Sequence, residues 1–286
     1  MKSCRPPGYR TTFAFTLPSG DPTSLVGGQD RWDFVELNCA TPASNGKPVC
    51  FVNTTNVEFF SLGVTFKGRT SATTETYETL GLNLNSLNPV GDTIAALKSL
   101  TGDYAHGLVN KTDGTFLRFL APQNSFRKVT TATALDGAIT SGYNYYKDHD
   151  LDFYADGKHY IARTNSAGTS LDFTSPAVFS IAKPTSLDVV ATENSMKTDQ
   201  GSPIDGARKF VGAYLQRGVI DNTAVWQTPP WYPSGKVFNQ YSQVLHARFY
   251  ENRAYGFSFD DVPSDPVKTV PAISTCTSMT LVVTSN

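Results

Sequence analysis

The sequence predicts an α+β protein in which a β-barrel or β-sandwich domain accompanies a mixed α/β domain. Both ends of the chain carry short aromatic or β-branched runs bounded by Gly, Pro, Asn or Asp, a pattern typical of strands. The middle of the chain alternates such runs with segments whose apolar residues recur at helical spacing. With 286 residues, of which 40% are hydrophobic, the chain can bury a sizeable core.

The predicted strands near the two ends define the β domain, to which we assign residues 1–75 and 240–286. Aromatic and β-branched residues of this kind are enriched in strands. In chain order the segments are TTFAFTL, WDFVEL, VEFFSLGVTF, VLHARFYE, AYGFSF and SMTLVVTS.

Residues 76–239 are assigned to the α/β domain because helical and strand-like patterns alternate there. Three segments predict helices: DTIAALKSLTG, LDGAITSGYNYYK and DGARKFVGAYLQRG. The last of them ends at Gly218, which is a good C-cap residue. The runs GTFLRFLAP, LDFYADGKHYIA and AVFSIAK predict the strands of this domain.

Charge and motifs narrow the classes of partner. The formal net charge of −1 gives no electrostatic reason to expect nucleic acid or an anionic membrane surface. No apolar run approaches the roughly 20 residues that cross a bilayer. The signatures GxxxxGK[ST], GxGxxG, GxSxG and HExxH do not occur in the sequence. We therefore expect neither nucleic acid nor a membrane among the partners.

The four cysteines favour disulfides over free thiols, and hence a secreted protein. Cys4, Cys39, Cys50 and Cys276 have no CxxC or zinc-ligand spacing. Cys39 and Cys50 bracket ATPASNGKPV, a turn-rich segment that a local bridge would close, while Cys4 and Cys276 would join the terminal strands. An even count suits an oxidising compartment, although the start MKSCRPPGYR lacks the apolar region of a signal peptide.

No metal or organic cofactor is expected. The acidic run KDHDLDFYADG resembles a calcium loop, but an EF-hand needs Gly at its sixth position and an acidic ligand at its twelfth. Phe153 and His159 occupy these positions, so a solvated acidic strand edge is the simpler interpretation. We interpret His246 as a hydrogen-bonded structural residue, and Asp260 with Asp261 as a turn that caps backbone groups.

Two isolated glutamates lie within strand-like apolar runs, Glu36 in WDFVELN and Glu58 in NVEFF. Side chains alternate along a strand, so Glu36 and Asn38 share a face. A hairpin that pairs the two runs would bring Glu58 near Glu36. Two carboxylates on one concave face are the minimum apparatus for glycoside hydrolysis. From the pattern alone, two surface charges remain the simpler interpretation.

Five segments together resemble glycoside hydrolase family 64, the β-1,3-glucanases that release laminari-oligosaccharides. In chain order they are DFVELN, VNTTNVEFFSLGVTF, DGTFLRFLAP, ITSGYNYY and FNQYSQVLHARFYENRAYGFSFDDV. The resemblance implies a thaumatin-like β-barrel and an α/β domain that flank a wide groove for polysaccharide. It also implies hydrolysis of β-1,3-glucan with inversion, without any cofactor.

The resemblance also assigns roles to individual residues. Glu36 lies where the family has its general acid, and Glu58 lies where it has its base, which is usually an aspartate. Asn38, Phe51 and Thr55 lie at glucan-contacting positions, where the usual residues are threonine, tryptophan and threonine.

Three departures from the family pattern keep other functions open. Position 58 is Glu instead of Asp, the segment between Cys39 and Cys50 is longer, and only 35 residues precede Glu36. We expect a monomeric, secreted β-1,3-glucan hydrolase. The first alternative is a relative that binds β-1,3-glucan without cleaving it, because Glu58 replaces the usual base. The second is a structural β-sandwich protein without a carbohydrate role.

Overall fold

The described part of the chain forms four small β-sheets and six α-helices. The computed structural model describes residues 31, 33–40, 49–69, 77–198, 202–226, 231–262, 272–274 and 278–285. The strands are β1 Glu36–Ala40, β2 Val49–Asn53, β3 Phe59–Phe60, β4 Gly63–Arg69, β5 Tyr77–Gly81, β6 Leu108–Asn110, β7 Phe116–Leu120, β8 Leu151–Ala155, β9 Lys158–Thr164, β10 Ser170–Ser175, β11 Phe179–Ala182, β12 Ala272–Ser274 and β13 Ser278–Thr284. The helices are α1 Pro89–Lys98, α2 Pro122–Ser125, α3 Asp136–Tyr145, α4 Ser186–Ala191, α5 Pro203–Arg217 and α6 Gln240–Arg248.

Three of the sheets have three strands each, and all the described pairings within them are antiparallel. Their strand orders are β1-β2-β12, β13-β4-β5 and β3-β7-β6. A small apolar cluster joins the first two sheets, because Val52 of β2 packs with Val64, Phe66 and Leu80. The third sheet has its own cluster around Phe59. None of the described sheets closes into a barrel.

The fourth sheet, ordered β11-β10-β9-β8, carries one face of the main core. β8 alternates strictly between buried and exposed residues, as expected of a strand with one face on the core and one in solvent. Leu151 and Phe153 point inward, and Phe153 stacks on Phe210 of α5 with ring centroids 5.6 Å apart.

α5 is the central helix of that core, and its ends explain its bounds. At the start, the Asp205 carboxylate accepts from the Ser202 N–H at 3.3 Å, which satisfies a backbone N–H group that would otherwise be unpaired. Gly218 has φ 72° at the C-cap, a conformation that glycine adopts without strain. The predicted helix DGARKFVGAYLQRG, with its end at Gly218, is thus confirmed.

Two of the predicted strands are wrong. VLHARFYE lies largely in α6, which begins upstream of it at Gln240. The Asn239 side chain accepts from the Ser242 N–H at 3.1 Å, which caps the helix, and the buried Tyr241 and Leu245 are spaced by one turn. AYGFSF forms one isolated bridge at Tyr255 followed by a turn.

The other predictions have mixed outcomes. The predicted helices over α1 and α3 and the strand SMTLVVTS over β13 are confirmed, as is the mixed helix and sheet content. TTFAFTL lies outside the described residues. The domain division stays a prediction, and so does the thaumatin-like barrel. Within the described residues, no helix is long and apolar enough to span a membrane.

Candidate active site

Glu36 begins β1 and is exposed to solvent. Its backbone partner in β2 is Asn53, a residue only 5% exposed. The Asn53 Nδ2 group donates to Glu36 Oε2 at 2.5 Å. The neighbouring strand therefore holds one oxygen of this carboxylate, while the residue remains open to solvent.

The orientation of the Asn53 amide is fixed from its other side. The Thr55 hydroxyl donates to Asn53 Oδ1, so the Asn53 Nδ2 group must face Glu36. The Thr55 backbone forms a parallel bridge with Tyr255. Glu36 thus ends a chain of hydrogen bonds that passes through Asn53 to Thr55.

Glu58 lies in a bend immediately before β3 and is partly buried. Asn124 of α2 donates through Nδ2 to Glu58 Oε2 at 2.6 Å and to the Glu58 carbonyl at 3.3 Å. The Ala121 N–H donates to the same carbonyl at 2.9 Å. Each of the two predicted catalytic carboxylates therefore receives a hydrogen bond from an asparagine amide.

NVEFF does not pair with WDFVELN, so the condition under which Glu58 would lie opposite Glu36 in one hairpin is not met. β1 pairs with β2, whereas β3 pairs with β7, where Phe59 and Phe60 are opposite Leu120 and Phe119. Phe59 and Phe60 are fully buried, so their burial beside β7 determines this pairing. Glu58 accordingly approaches from the β3 side of the site and is not opposite Glu36 in one ladder.

The segment between Asn53 and Glu58 is anchored to the helical part of the protein. The hydroxyl of the fully buried Tyr241 in α6 donates to the Asn56 carbonyl at 2.8 Å. The Asn56 N–H donates to the Tyr255 carbonyl at 2.9 Å. Together with the Thr55–Tyr255 bridge, these bonds satisfy backbone groups of a segment that lies between β2 and β3.

A third carboxylate, that of Asp33, is bound by the backbone that follows Glu58. Its Oδ2 accepts from the N–H groups of Ser61 at 2.9 Å and Leu62 at 3.1 Å, and its Oδ1 accepts from the Phe34 N–H at 2.9 Å. Asp33 as a residue is partly exposed, but its carboxylate is surrounded by protein. This burial raises its pKa to about 7 against the lowering effect of those N–H groups.

Asp33 and Glu58 both act on the Tyr241 hydroxyl. Burial raises the pKa of Tyr241 well above its usual value, and the negative charges of Asp33 and Glu58 raise it further. The two carboxylates are thus close enough to the same hydroxyl to influence its ionisation. Tyr241 stays protonated at neutral pH and serves as a hydrogen-bond donor.

The structure describes the remaining predicted binding residues only in part. Asn38 and Phe51 are directly opposite each other in the β1–β2 ladder, but their side chains lie outside what the structure describes. The Thr55 side chain is partly buried and donates to Asn53. Glucan contact by these three residues stays a prediction.

The backbone register agrees with one of the two predicted disulfides. Cys39 and Cys50 are partners in the β1–β2 ladder, and Cα atoms of paired antiparallel residues lie about 4.5–5.5 Å apart, within the range a disulfide spans. The Cys39–Cys50 bridge stays a prediction because their side chains are outside the described set. Cys4 and Cys276 both lie outside the described residues.

Asp260, which the sequence predicts in a capping turn with Asp261, belongs to a buried ion cluster. It is fully buried, and its carboxylate lies 2.8 Å from His246 Nε2 and 3.2 Å from Arg217 Nη2, and accepts from the Gly256 N–H at 2.9 Å. Burial opposes its ionisation, but His246 and Arg217 outweigh this effect and lower its pKa. The prediction that His246 is structural is confirmed, and Asp260 is structural too.

Two aspartates of the acidic run KDHDLDFYADG pair with basic side chains of β9. Asp150 pairs with Arg163 at 2.5 Å, and Asp152 pairs with His159 at 2.7 Å. Among the residues that the structure describes, no three His, Cys, Asp or Glu side chains are arranged to hold a metal ion.

Sequence reasoning missed Asn53, Asn124 and Asp33. Asn53 has a usable signal, because a hairpin register centred on the two cysteines places it opposite Glu36. Asn124 has none, because it lies 66 residues from Glu58 in a four-residue helix.

Glu36 and Glu58 are each held by an amide donor, and a pair of carboxyl groups is what glycoside hydrolysis uses. The profile of glycoside hydrolase family 64, described as β-1,3-glucanase, matches residues 12–284. The chain therefore belongs to this family.

Solved structures show the same fold. A laminaripentaose-producing β-1,3-glucanase in complex with laminaritetraose is similar with a TM-score of 0.64 at 23% identity, over 86% of this chain and 64% of that one. A family 64 β-1,3-glucanase domain from Clostridium beijerinckii gives 0.64 at 19% identity, over 88% and 72%. An enzyme from Paenibacillus barengoltzii complexed with laminarihexaose gives 0.51 at 17% identity, over 87% and 45%.

The chain therefore spans less than two thirds of the laminaritetraose-bound structure. A search of curated proteins found no match.

Proposed function

We propose that this protein hydrolyses β-1,3-glucan of the laminarin or curdlan type with inversion of configuration, with Glu36 as the general acid and Glu58 as the general base. Membership of family 64 supports the reaction class. The observation that carries the residue assignment is the pair of asparagine-held carboxylates, Glu36 with Asn53 and Glu58 with Asn124.

The hydrogen bonds suit the two roles. Asn53 engages Oε2 of Glu36, so Oε1 can carry the proton that the leaving glycosidic oxygen needs. Asn124 engages Oε2 of Glu58, so Oε1 can take a proton from the attacking water. Inverting enzymes use this division of labour on opposite faces of the sugar ring.

Glutamate at position 58 changes the reach of the base. Its side chain is one methylene longer than the aspartate usual in the family, a difference of about 1.5 Å. Inverting enzymes place their carboxyl groups about 6.5–9.5 Å apart, with a water molecule between them. The bond from Asn124 holds the longer arm in one position, and the proposal requires that position to lie within this range of the Glu36 carboxyl group.

The finer features of the fold and the substrate contacts belong to the same proposal. Asn38, Phe51 and Thr55 would contact glucan, with the Phe51 ring stacking on a sugar face. A thaumatin-like barrel and the α/β domain would flank the groove. We further propose a monomeric, secreted protein with the Cys39–Cys50 bridge.

A non-catalytic β-1,3-glucan-binding protein is the second candidate, and the glutamate at position 58 favours it. In this case the groove would be retained, and the base would be too far from its productive position. A misplacement of about 1 Å can cost about a hundredfold in rate, so the substitution is large enough to matter.

Release of reducing ends from laminarin by wild type, Glu36→Gln and Glu58→Gln tests the assignment. Both variants should lose hydrolysis and retain binding of a laminari-oligosaccharide. Asp150→Asn is the control, because Asp150 lies in an exposed pair with Arg163 of β9. An NMR spectrum of the first product should show the α-anomer. Binding without hydrolysis in wild type would establish the second candidate, and equal activity of Glu58→Gln would exclude Glu58 as the base.

A further inference from the structure

The backbone that carries the two glutamates is tied together at two points. At one point, Asn53 binds the Glu36 carboxylate across the β1–β2 ladder. At the other point, Asp33 accepts from Ser61 and Leu62. Residues 33–36 and 53–61 connect these two ties, with Glu36 at the end of the first segment and Glu58 inside the second.

Both glutamates lie close to the second tie along the chain. Asp33 precedes Glu36 by three residues, and Ser61 follows Glu58 by three residues. Three residues span at most about 10 Å. A change in the bond between Asp33 and Ser61 therefore changes where the two carboxylates lie relative to each other.

The two segments make further contacts beside this tie. The ring of Phe34 packs against Phe59 with centroids 5.4 Å apart, and the Arg31 guanidinium donates to the Ser61 carbonyl. Ser61 is fully buried, and its hydroxyl donates to the Leu117 carbonyl at 2.7 Å. The Ser61 end is thus rigid, and Asp33 joins the Glu36 segment to it.

We propose that Asp33 is a positioning residue for the proposed hydrolysis: its carboxylate joins the Glu36 segment to the Glu58 segment and sets the spacing of the two. The role rests on the proposed function. Asp33 need not touch the glucan for this role. Its two bonds on Oδ2 come from consecutive backbone N–H groups, so they orient the segment as well as hold it.

Two variants of Asp33 separate positioning from stability. Asp33→Ala removes the acceptor, and kcat on laminarin should fall by about a hundredfold, the cost of a misplacement near 1 Å. KM should change by less than about threefold, because the glucan-contacting residues remain. Asp33→Asn keeps an oxygen that can accept from Ser61 and Leu62, and should restore kcat to within about fivefold of wild type.

Asp103 supplies a matched control of the same design. Its Oδ2 also accepts from two consecutive backbone N–H groups, those of Thr133 at 2.7 Å and Ala134 at 2.8 Å. Asp103→Ala should lower the melting temperature and leave kcat unchanged. A merely structural Asp33 would behave like Asp103.

The outcomes are distinguishable. An active wild type whose Asp33→Ala variant keeps kcat within about twofold overturns the positioning role alone. An Asp103→Ala variant that loses as much kcat as Asp33→Ala overturns it as well. A wild type that leaves laminarin uncut overturns the proposed function, and the positioning role with it. If Asp33→Ala does not fold, Asp33→Ser, whose shorter side chain cannot reach Ser61, should show the same loss of kcat.

Discussion

Replacing Asn124 by alanine should disable Glu58 without removing it. The substitution removes both the 2.6 Å bond to the carboxylate and the 3.3 Å bond to the carbonyl of Glu58. The carbonyl keeps the Ala121 N–H at 2.9 Å, so the backbone stays satisfied. A hydrogen bond to a charged group is worth about 1.5–3 kcal/mol. At tenfold in rate for each 1.4 kcal/mol or so, kcat on laminarin should fall by about 10–150-fold.

The assay is steady-state release of reducing ends from laminarin, with the melting temperature measured in parallel. The KM should stay near the wild-type value, because Asn124 orients the base and has no assigned glucan contact. Asn194→Ala is the control, since Asn194 Nδ2 makes the same kind of bond to Asp188 Oδ1 at 2.7 Å. Asn194 has φ 47°, where alanine is strained, so the control should lose stability and keep kcat. A kcat for Asn124→Ala equal to that of wild type would refute the orienting role.

Three further predictions concern the base, the pH dependence and the cysteines. Glu58→Asp restores the residue usual in the family and should keep or raise laminarin hydrolysis; a loss as complete as that of Glu58→Gln would contradict the family-derived role. The raised pKa of Asp33, about 7, means that the folded state binds this proton more tightly than the unfolded state. The contribution of this protonation to the free energy of unfolding is fully present below about pH 4 and is lost as the pH rises through 7. Between pH 4.5 and pH 7.5, the free energy of unfolding in urea should therefore fall less for Asp33→Asn than for wild type. Equal falls would contradict the raised pKa of Asp33. Mass spectrometry of a non-reduced digest should find Cys39 bridged to Cys50, a closure worth about 2–3 kcal/mol; two free thiols would disprove the bridge.

Elements with a complete local signal were predictable from the sequence. The helix ending at Gly218 has an apolar stripe, an aspartate that caps its start and a glycine at its end, all within one window. β8 has alternation and β13 has a β-branched run. The segment VLHARFYE failed because its helical signal starts upstream, at the Asn239 cap.

The candidate residues Glu36 and Glu58 came from their apolar surroundings and from the family resemblance, and their catalytic roles stay a prediction. The pairing of their two runs in one hairpin, which would have brought them together, does not occur. The actual pairing of β3 with β7 joins residues about 60 positions apart, Phe60 and Phe119, and depends on burial that no short window records. The bond from Asn124 to Glu58 spans 66 positions, and those from Ser61 and Leu62 to Asp33 span 28 and 29, so the sequence contained no local sign of them.

Glu36 and Glu58 are held by different parts of the molecule, and only one of these parts belongs to the main hydrophobic core. Glu58 is fastened to α2, and its segment is fastened to α6, whose Tyr241 and Leu245 belong to the main core. Glu36 lies in the sheet β1-β2-β12, and among the described residues Val52 of that sheet packs with Val64, Phe66 and Leu80 of the neighbouring sheet in a cluster separate from the main core. Parts of a protein outside the main core can open at lower free energy than the core itself. Warming should therefore release the proposed acid while the proposed base is still held, so activity would stop below the main unfolding transition. The working temperature range would then depend on the packing between these two sheets, and stabilising the large helical core would not extend it.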